Sequence, residues 1–292
     1  MANQIKLAKS FTNLLDKVYQ AASVTANLNT PDDLIRKGAN AGEIQVPKIS
    51  VDGLGNYSRN DGYVKGSVSL DWETVKFNYD RGRTFQVDSM DNQETVNLAF
   101  GQLAAEFMRT KVAPEKDAFT FATLSGKDGV SSAQADLATG DAVLKALAAA
   151  LDEMDTNEVS EGRNLYITAA LLRAVEQLDT TKSREVLGEF SRTVKVPTKR
   201  FYDKIELQDG KTNGQEIGGF KAPVGACALN FVIVEPSAII KFDKHVANNI
   251  ISPEDNQSAD AFMLKYREYG LVDVYENKTA GIYVHKKKTA VA

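Results

Sequence analysis

The fold of this chain is decided by residues 43–87, which read EIQVPKISVDGLGNYSRNDGYVKGSVSLDWETVKFNYDRGRTFQV. Apolar residues recur at alternate positions on both sides of a run rich in glycine and asparagine, most clearly at 75–80. A period of two is typical of half-buried strands, and the glycine-rich run predicts a turn between them. The stretch is therefore predicted to form a long, extended β-hairpin.

This hairpin is too long to be covered by its own domain. Arms of roughly 15 residues would reach about 50 Å at ~3.3 Å per residue, which exceeds the radius of a compact chain of this size. A two-stranded ribbon is also only marginally stable alone in water. We therefore expect the apolar face of the hairpin to lie on a neighbouring copy of the same protein.

A long helix is predicted to follow the hairpin. Asp91 and Glu94 have the spacing of a capping box, and apolar residues then recur every three or four positions from Val96 to Phe107. Pro114 interrupts this pattern, which resumes afterwards, so the sequence predicts either a kink or two abutting helices. The whole element would be about 45 to 50 Å long at ~1.5 Å per residue.

Composition restricts the class of protein. The 292 residues carry 35 basic and 39 acidic side chains, a net charge of −4, which argues against coating nucleic acid by neutralising phosphates. The single cysteine, Cys227, allows no disulfide within the chain and is expected to be a small buried hydrophobe. We see no secretory signal and no apolar run of ~20 residues, so we expect synthesis in the cytoplasm and no membrane span.

The rest of the chain alternates helix and strand, as mixed domains do. A helix capped by Asp141 runs to Met154, and 238–242 is predicted to begin another short helix. Residues 262–275 and 282–285 are predicted to pair as a C-terminal hairpin. Strands and one further helix are predicted between these elements, at 165–167, 169–178 (the helix), 193–196, 205–207 and 231–234.

No catalytic or cofactor motif is complete. Gly126 and Lys127 lack the remaining residues of a phosphate loop, and Gly53 and Gly55 lack the third glycine of a dinucleotide fingerprint. His245 and His285 have no histidine or cysteine at metal-ligand spacing, and a structural or solvent-facing role is the expectation for both. The sequence therefore predicts no enzyme activity, no cofactor and no metal.

Two charged segments are candidates for contacts between copies. An acidic block spans 152–161, and a basic block spans 182–204 and includes Arg192 and Lys195. Each block is typical of a solvated face, but a ring built from identical subunits requires two different complementary surfaces. Both interpretations stay open.

The order of these parts resembles the major capsid protein of tailed bacteriophages, the Hong Kong 97-like fold, over nearly the whole chain. Residues 113–119, APEKDAF, resemble the end of the family's spine helix, and 230–239, NFVIVEPSAI, resemble a strand that ends in a proline and a short helix. Residues 266–270 and 281–284 resemble its C-terminal strands. The family is defined by shape more than by fixed residues, so no single motif is diagnostic.

The resemblance implies an α+β fold with named parts. It implies an N-terminal arm at 1–42, the extended loop at 43–87, a peripheral domain with the spine helix at 88–135, an axial mixed α/β domain at 136–252, and peripheral return strands with a C-terminal tail at 253–292. Some relatives crosslink a lysine of the extended loop to an asparagine of a neighbour. Lys65 is a candidate for this role, and the alternative is an ordinary solvated lysine of the hairpin. The expected contacts between subunits are Arg59, Lys65, Trp72, Arg81, Arg83, Arg192 and Lys195.

The resemblance also implies a function. Family members assemble pentamers and hexamers into an icosahedral phage head that encloses double-stranded DNA without reading its sequence. The implied location is the virion capsid, assembled in the host cytoplasm, with a separate scaffolding protein and a portal as partners. Two alternatives stay open: an encapsulin-type nanocompartment shell, and a soluble enzyme or binding module that holds a ligand with the hairpin.

Overall fold

The computed structural model describes residues 22–30, 36–37, 42–60, 62–90 and 98–290. The predicted capping box at Asp91 and Glu94 lies outside these residues, as does most of the N-terminal arm. The α-helices are α1 Leu98–Phe107, α2 Ala113–Gly126, α3 Gly140–Thr156, α4 Ala169–Glu176 and α5 Thr181–Gly188. The strands are β1 Arg36–Lys37, β2 Glu43–Val51, β3 Val68–Lys76, β4 Tyr79–Asp88, β5 Ser131–Gln134, β6 Asn164–Thr168, β7 Arg192–Val196, β8 Glu206–Gln208, β9 Gly219–Lys221, β10 Cys227–Val234, β11 Ile239–Ile251, β12 Ala261–Val274 and β13 Ile282–Ala290.

The predicted hairpin is present and projects from the body. β2 and β3 pair antiparallel from Glu43 opposite Lys76 to Val51 opposite Val68, and residues 52–67 connect them. Each strand has nine residues, so the paired arms are shorter than the predicted fifteen. Only the base is covered, because Ile44, Val46 and Val75 are buried in a cluster with residues of β11 and β12.

The alternating run at 75–80 is divided between two sheets. β3 ends at Lys76, and β4 begins at Tyr79 in a three-stranded sheet of order β11-β12-β4. Asn78 stands between them, where its side-chain amide donates to the carbonyl of Val272 at 2.8 Å and its side-chain oxygen accepts from the amide of Val272 at 3.1 Å. The Asn78 side chain thus makes the two hydrogen bonds that a backbone residue would make to Val272. The chain can therefore pass from one sheet to the next while apolar and polar residues continue to alternate.

The long helix is irregular where the sequence indicates. Residues Met108–Val112 form a π-helical turn between α1 and α2, and the amide of Ala113 donates to the carbonyl of Met108. Pro114 occupies the first turn of α2, where it has no amide to donate and its ring excludes the carbonyl four residues earlier. The wider turn absorbs this conflict, so the helix runs on from Leu98 to Gly126, about 44 Å at ~1.5 Å per residue.

A five-stranded sheet of order β5-β13-β10-β6-β7 forms the centre of the molecule. Its strand β10 is buried on both faces from Asn230 to Val234. Val232 and Val234 pack toward α2, while Phe231 and Ile233 pack toward α3, α4 and α5. The sheet therefore separates the long helix from the three shorter helices.

Two predictions were wrong: the short helix that begins at 238–242 and the C-terminal hairpin. Residues 236–238 form a single 3-10 turn, and Ile239 begins a strand of thirteen residues instead of a helix, since Ile239 and Ile240 are β-branched and buried. The C-terminal strands are not a hairpin, because β12 pairs with β11 and β4 whereas β13 pairs with β10 and β5.

Smaller differences from the sequence-based predictions concern the start of one helix, a helix that was not predicted, and the burial of Cys227. α3 is capped by the side chain of Thr139, not by Asp141. α5 was missed because its capping box uses Ser183 in place of the usual glutamate or glutamine. Cys227 is only half-buried, at the start of β10.

Candidate functional site

The tip of the hairpin exposes an apolar surface that no described part of the chain covers. Leu54 is fully exposed and Tyr63 is 88% exposed, whereas large apolar side chains are normally buried or scattered singly. The strongly exposed large apolar residues of this hairpin tip are Val51, Leu54, Tyr57, Tyr63, Val64, Val68 and Leu70. A group of exposed apolar side chains in one segment is typical of an interface with another protein.

The tip nevertheless has a defined shape. The rings of Tyr57 and Tyr63 lie 4.9 Å apart, and Ser58 and Gly62 form an isolated backbone bridge. At the neck, the carboxylate of Asp52 accepts from the amide of Ser67 at 2.7 Å. The apolar side chains are thus displayed on an ordered support.

The predicted contact residues divide into two groups. Arg59 and Lys65 are exposed on the tip, and Arg192 and Lys195 are exposed on β7, an edge strand of the central sheet, where Lys195 Nζ lies 4.0 Å from Glu176. Trp72 is half-buried on β3. These five residues are available to a second copy to different degrees.

Arg81 and Arg83 make hydrogen bonds within their own chain, and Arg83 is also exposed to solvent. Arg81 Nε donates to Glu115 at 2.7 Å, and its terminal nitrogen donates to the carbonyl of Gly219 at 3.2 Å. Arg83 donates to the carbonyls of Ile217 at 3.0 Å and Glu216 at 3.1 Å. Both arginines hold the β8-β9 hairpin beside β4, around a cavity of about 1100 Å³. Arg81 therefore has an acidic partner, Glu115, within its own chain, and a contact of either arginine with a second copy stays a prediction.

Three consecutive charged residues of α2 are buried, and each contacts a different part of the molecule. Glu115 accepts from Arg81, at the base of the hairpin, and from the hydroxyl of Tyr79 at 3.2 Å. Burial disfavours the charged form of Arg81, but Glu115 outweighs it and raises the pKa of Arg81. Glu115 thus ties the long helix to β4, the strand that follows the hairpin.

Asp117 is fully buried and binds the N-terminal segment 22–30. Its carboxylate accepts from the hydroxyls of Ser23 and Thr25, both at 2.7 Å, and from the backbone amides of Val24 and Thr25. Arg200 donates to the same carboxylate at 2.8 Å. A buried carboxylate with this many donors is well compensated for its lost hydration.

Lys116 and Lys241 complete a buried charge cluster, which we define as Lys116, Asp117, Arg200, Lys241, Asp243 and Glu268. Lys116 Nζ lies 2.7 Å from both Asp243 and Glu268, and Lys241 Nζ donates to the carbonyl and hydroxyl of Thr25, both at 2.9 Å. Three positive and three negative groups balance. This balance and the many donors indicate a structural anchor.

Lys241 gives the cluster a pH dependence. Burial lowers the pKa of Lys241 to about 8, despite the opposing attraction of Asp117. The unfolded chain therefore binds more protons than the folded chain between pH ~8 and ~10.5, so the free energy of unfolding rises with pH in that window. We expect the stability difference between parent and Lys241→Met to move by about 3 kcal/mol in favour of the parent from about pH 7 to about pH 10.5, measured by chemical denaturation. The exposed Lys244, on the same strand, supplies the control Lys244→Met, and an unchanged difference for Lys241→Met would contradict the buried charge.

Both histidines have structural surroundings. His285 is buried with its ring 4.8 Å from that of Phe231, and its Nδ1 lies 3.0 Å from the side-chain amide of Asn230. Burial lowers the pKa of His285. His245 is exposed beside a bulge in β11, not in a helix or loop. Within the described part of the chain, no three histidine, cysteine or acidic side chains are placed to hold a metal ion.

The charged triplet 115–117 is the part of the site that sequence reasoning missed. These residues entered the sequence analysis only within a stretch that resembles a family motif. A signal was available, because three consecutive helical positions are spread over about 200° of the helix surface and cannot all face solvent on a helix that packs in the interior. The identity of their partners, such as Asp243, which is 127 positions from Lys116, was not predictable.

Comparisons with known proteins place this fold among particle-forming chains. No family model matches the sequence, and no curated protein matches it. A chain of Mycobacterium phage Che8 is similar at 13% identity, with 90% of each chain covered and a TM-score of 0.57. A chain of the bacteriophage PhiM1 mature capsid is similar at 12% identity, with 85% of this chain and 83% of the other covered and a TM-score of 0.56. A chain of the virus-like particle from Pyrococcus furiosus is similar at 11% identity, with 93% and 97% covered and a TM-score of 0.55.

These likenesses concern the fold of the chain. The chain has the mixed α and β fold of phage capsid proteins, over about nine-tenths of its length. Within the ranges described, it contains no helix long and apolar enough to span a bilayer.

Proposed function

We propose that this protein is the major capsid protein of a tailed bacteriophage, and that it assembles as pentamers and hexamers into a closed icosahedral shell around double-stranded DNA. The observation that carries the proposal is the hairpin tip, where seven large apolar side chains are exposed in a chain with a capsid-protein fold. Such a surface is costly in an isolated subunit and is explained when a neighbouring copy covers it.

The proposal assigns Hong Kong 97-like parts to the chain, with the strand pairing as a guide. The N-terminal arm is 1–42 and the extended loop is centred on β2 and β3 within 43–87. The peripheral domain contains β4, the long helix, β11 and β12, since these strands share one sheet. The axial domain contains α3 to α5 and the central sheet. This proposal differs from the sequence-based boundaries, because it assigns β11 to the peripheral domain and β5 and β13 to the axial domain; the strand pairing supports these assignments.

Arg59, Lys65 and Trp72 are proposed to contact the copy beneath the hairpin, and Arg192 and Lys195 to contact the next copy around the ring. DNA would be enclosed without base-specific contacts, as expected from the net charge of −4. A scaffolding protein and a portal are the proposed further partners, assembly is proposed to occur in the host cytoplasm, and the assembled subunit would reside in the virion capsid. The proposal includes no catalytic or cofactor site.

A nanocompartment shell is the second candidate. The similarity to the virus-like particle, with a TM-score of 0.55, is close to that of the phage chains. Such a shell would enclose a cargo protein instead of a genome, and fold alone does not separate the two.

Native sizing and negative-stain electron microscopy test both candidates. We expect the purified protein to form closed megadalton particles, alone or with a scaffolding protein. Particles isolated from infected or expressing cells should contain double-stranded DNA if the phage assignment holds, and a cargo protein in its place would favour the nanocompartment. A stable monomer that never assembles and carries hydrolytic or binding activity would contradict both.

A further inference from the structure

One part of the buried charge cluster has the arrangement of a reactive site. The ammonium nitrogen of Lys116 is fully buried and lies 2.7 Å from Asp243 Oδ1 and 2.7 Å from Glu268 Oε1. Glu268 is 2% exposed, and the face of the Tyr79 ring lies 4.3 Å from the same nitrogen. An amine, a carboxyl acceptor and a second carboxyl group thus meet in a site largely closed to water.

We propose that Lys116 and Asp243 form an intramolecular isopeptide bond, with Glu268 as the group that transfers protons. The bond would join α2 to β11 within one subunit. It is separate from the shell assembly of the proposed function, and it is distinct from a crosslink between subunits through Lys65, which is exposed on the hairpin tip.

The reaction needs no oxidant, reductant or co-reactant. The ammonium of Lys116 gives up a proton that neutralises the carboxylate of Asp243, and the resulting amine attacks the Asp243 carbonyl carbon. Glu268 accepts a second proton from the attacking nitrogen and returns it to the departing hydroxyl group. The C–N bond forms as the C–O bond breaks, and one water molecule leaves. One ammonium and one carboxylate become an amide, and Glu268 ends in its starting state.

The surroundings assign different roles to the two carboxyl groups. The hydroxyl of Tyr266 donates to Glu268 Oε2 at 2.6 Å, which orients Glu268 with its other oxygen toward Lys116. Asp243 has Lys116 as its ion-pair partner among the described residues and is 18% exposed beside a cavity of about 610 Å³, into which the water can leave. Glu268 is therefore the held acid and base, and Asp243 is the acceptor.

Gly270 permits the close approach of the acceptor. It lies opposite Asp243 across the β11-β12 pair, and a Cβ atom at this position would overlap with Asp243 Oδ1. Any larger residue would displace the carboxyl group from Lys116. The absence of a side chain at Gly270 therefore allows the 2.7 Å contact.

The ionic form is the resting state before reaction. Burial disfavours the charged Lys116, but Glu268 and Asp243 outweigh burial and raise the pKa of Lys116. The reactive neutral pair is therefore a minor population, and bond formation is expected to be slow relative to folding. The close contact of Lys116 and Asp243 compensates for the small population of the neutral pair, since reacting groups held together have a large effective concentration.

Intact-mass spectrometry of the denatured full chain tests the proposal. We expect the parent to lose the mass of one water molecule, fully or progressively during incubation, and a branched peptide to join Lys116 to Asp243 after proteolysis. Glu268→Gln and Asp243→Ala are expected to keep the full mass. Tyr266→Phe, a milder change at a positioning residue, is expected to slow the mass loss several-fold while the protein stays folded by circular dichroism.

An internal control lies nearby. Lys127 and Asp273 are also 2.7 Å apart, but both are about one-quarter exposed. No branched peptide is expected from this pair. A folded parent that keeps its full mass after long incubation, or a branch at Glu268 or Asp273 instead of Asp243, would overturn the proposal. Since mass is read on the denatured chain, neither result depends on whether shells form.

Discussion

Replacing residues 53–66 with an Asn-Gly turn is expected to abolish closed particles while the subunit still folds. The replacement joins Asp52 to Ser67, which already pair across the neck, through a two-residue turn that suits antiparallel strands. If the seven exposed apolar side chains of the tip are covered in the shell, they contribute on the order of 10 kcal/mol to each subunit contact. Truncation removes four of the seven, so particles should fall below detection by electron microscopy and native sizing.

The control for the truncated hairpin is the free energy of unfolding of the isolated subunit, compared with that of the parent. The large apolar side chains of the tip are exposed in the described subunit, so their removal should change the free energy of unfolding by about 0.5 kcal/mol or less. A gentler variant, Leu54→Ser with Val64→Ser, should also impair assembly, whereas Val224→Ser, at an exposed position outside the hairpin, should not. Normal shells from the truncated chain would show that the tip is not the assembly surface.

Substituting Asp117 with alanine is expected to destabilise the subunit by about 3 to 5 kcal/mol, the cost of removing one partner from a buried charge network. The change leaves Arg200 without its carboxylate, removes the strongest attraction that favours charged Lys241, and deletes the acceptor of four hydrogen bonds from residues 23–25. Chemical denaturation should measure the loss. Hydrogen exchange should show the amides of Val24 and Thr25 losing protection first.

A second aspartate near the same helix serves as the control for Asp117. Asp128 is exposed just beyond the end of α2, so Asp128→Ala should change the free energy of unfolding by about 0.5 kcal/mol or less. Undiminished protection of Val24 and Thr25 in Asp117→Ala would mean that packing of Leu28, not the carboxylate, holds the N-terminal segment.

Local patterns predicted the elements whose periodicity is strong. The hairpin was predictable from alternation and glycine content, and the irregularity at Pro114 from the chemistry of proline. β10 was predictable in part from its apolar run at 231–234. Each of these signals lies within a few residues of the element that it specifies.

Partners remote in sequence were not predictable. Nothing near Ile282 indicates that β13 joins β10 and not β12, because both strands are apolar enough to accept it. The sequence around Arg81 and Arg83 does not distinguish a contact with another subunit from a contact with the β8-β9 hairpin of the same chain. The exposed tip residues were predicted as an interface only because no partner within the chain was long enough to cover them.

The alternating charges of Glu115, Lys116 and Asp117 also determine the register in which the long helix packs against the rest of the subunit. Suppose that α2 moved forward by one residue, which means a shift of about 1.5 Å along its axis and a rotation of about 100°. Lys116 would then face Arg81, and Asp117 would face Asp243 and Glu268. Slippage in the other direction would set Glu115 against the same two carboxylates and Lys116 against Arg200. Either misplacement would bury like charges together, so the triplet excludes neighbouring registers that the apolar residues of α2 alone would tolerate.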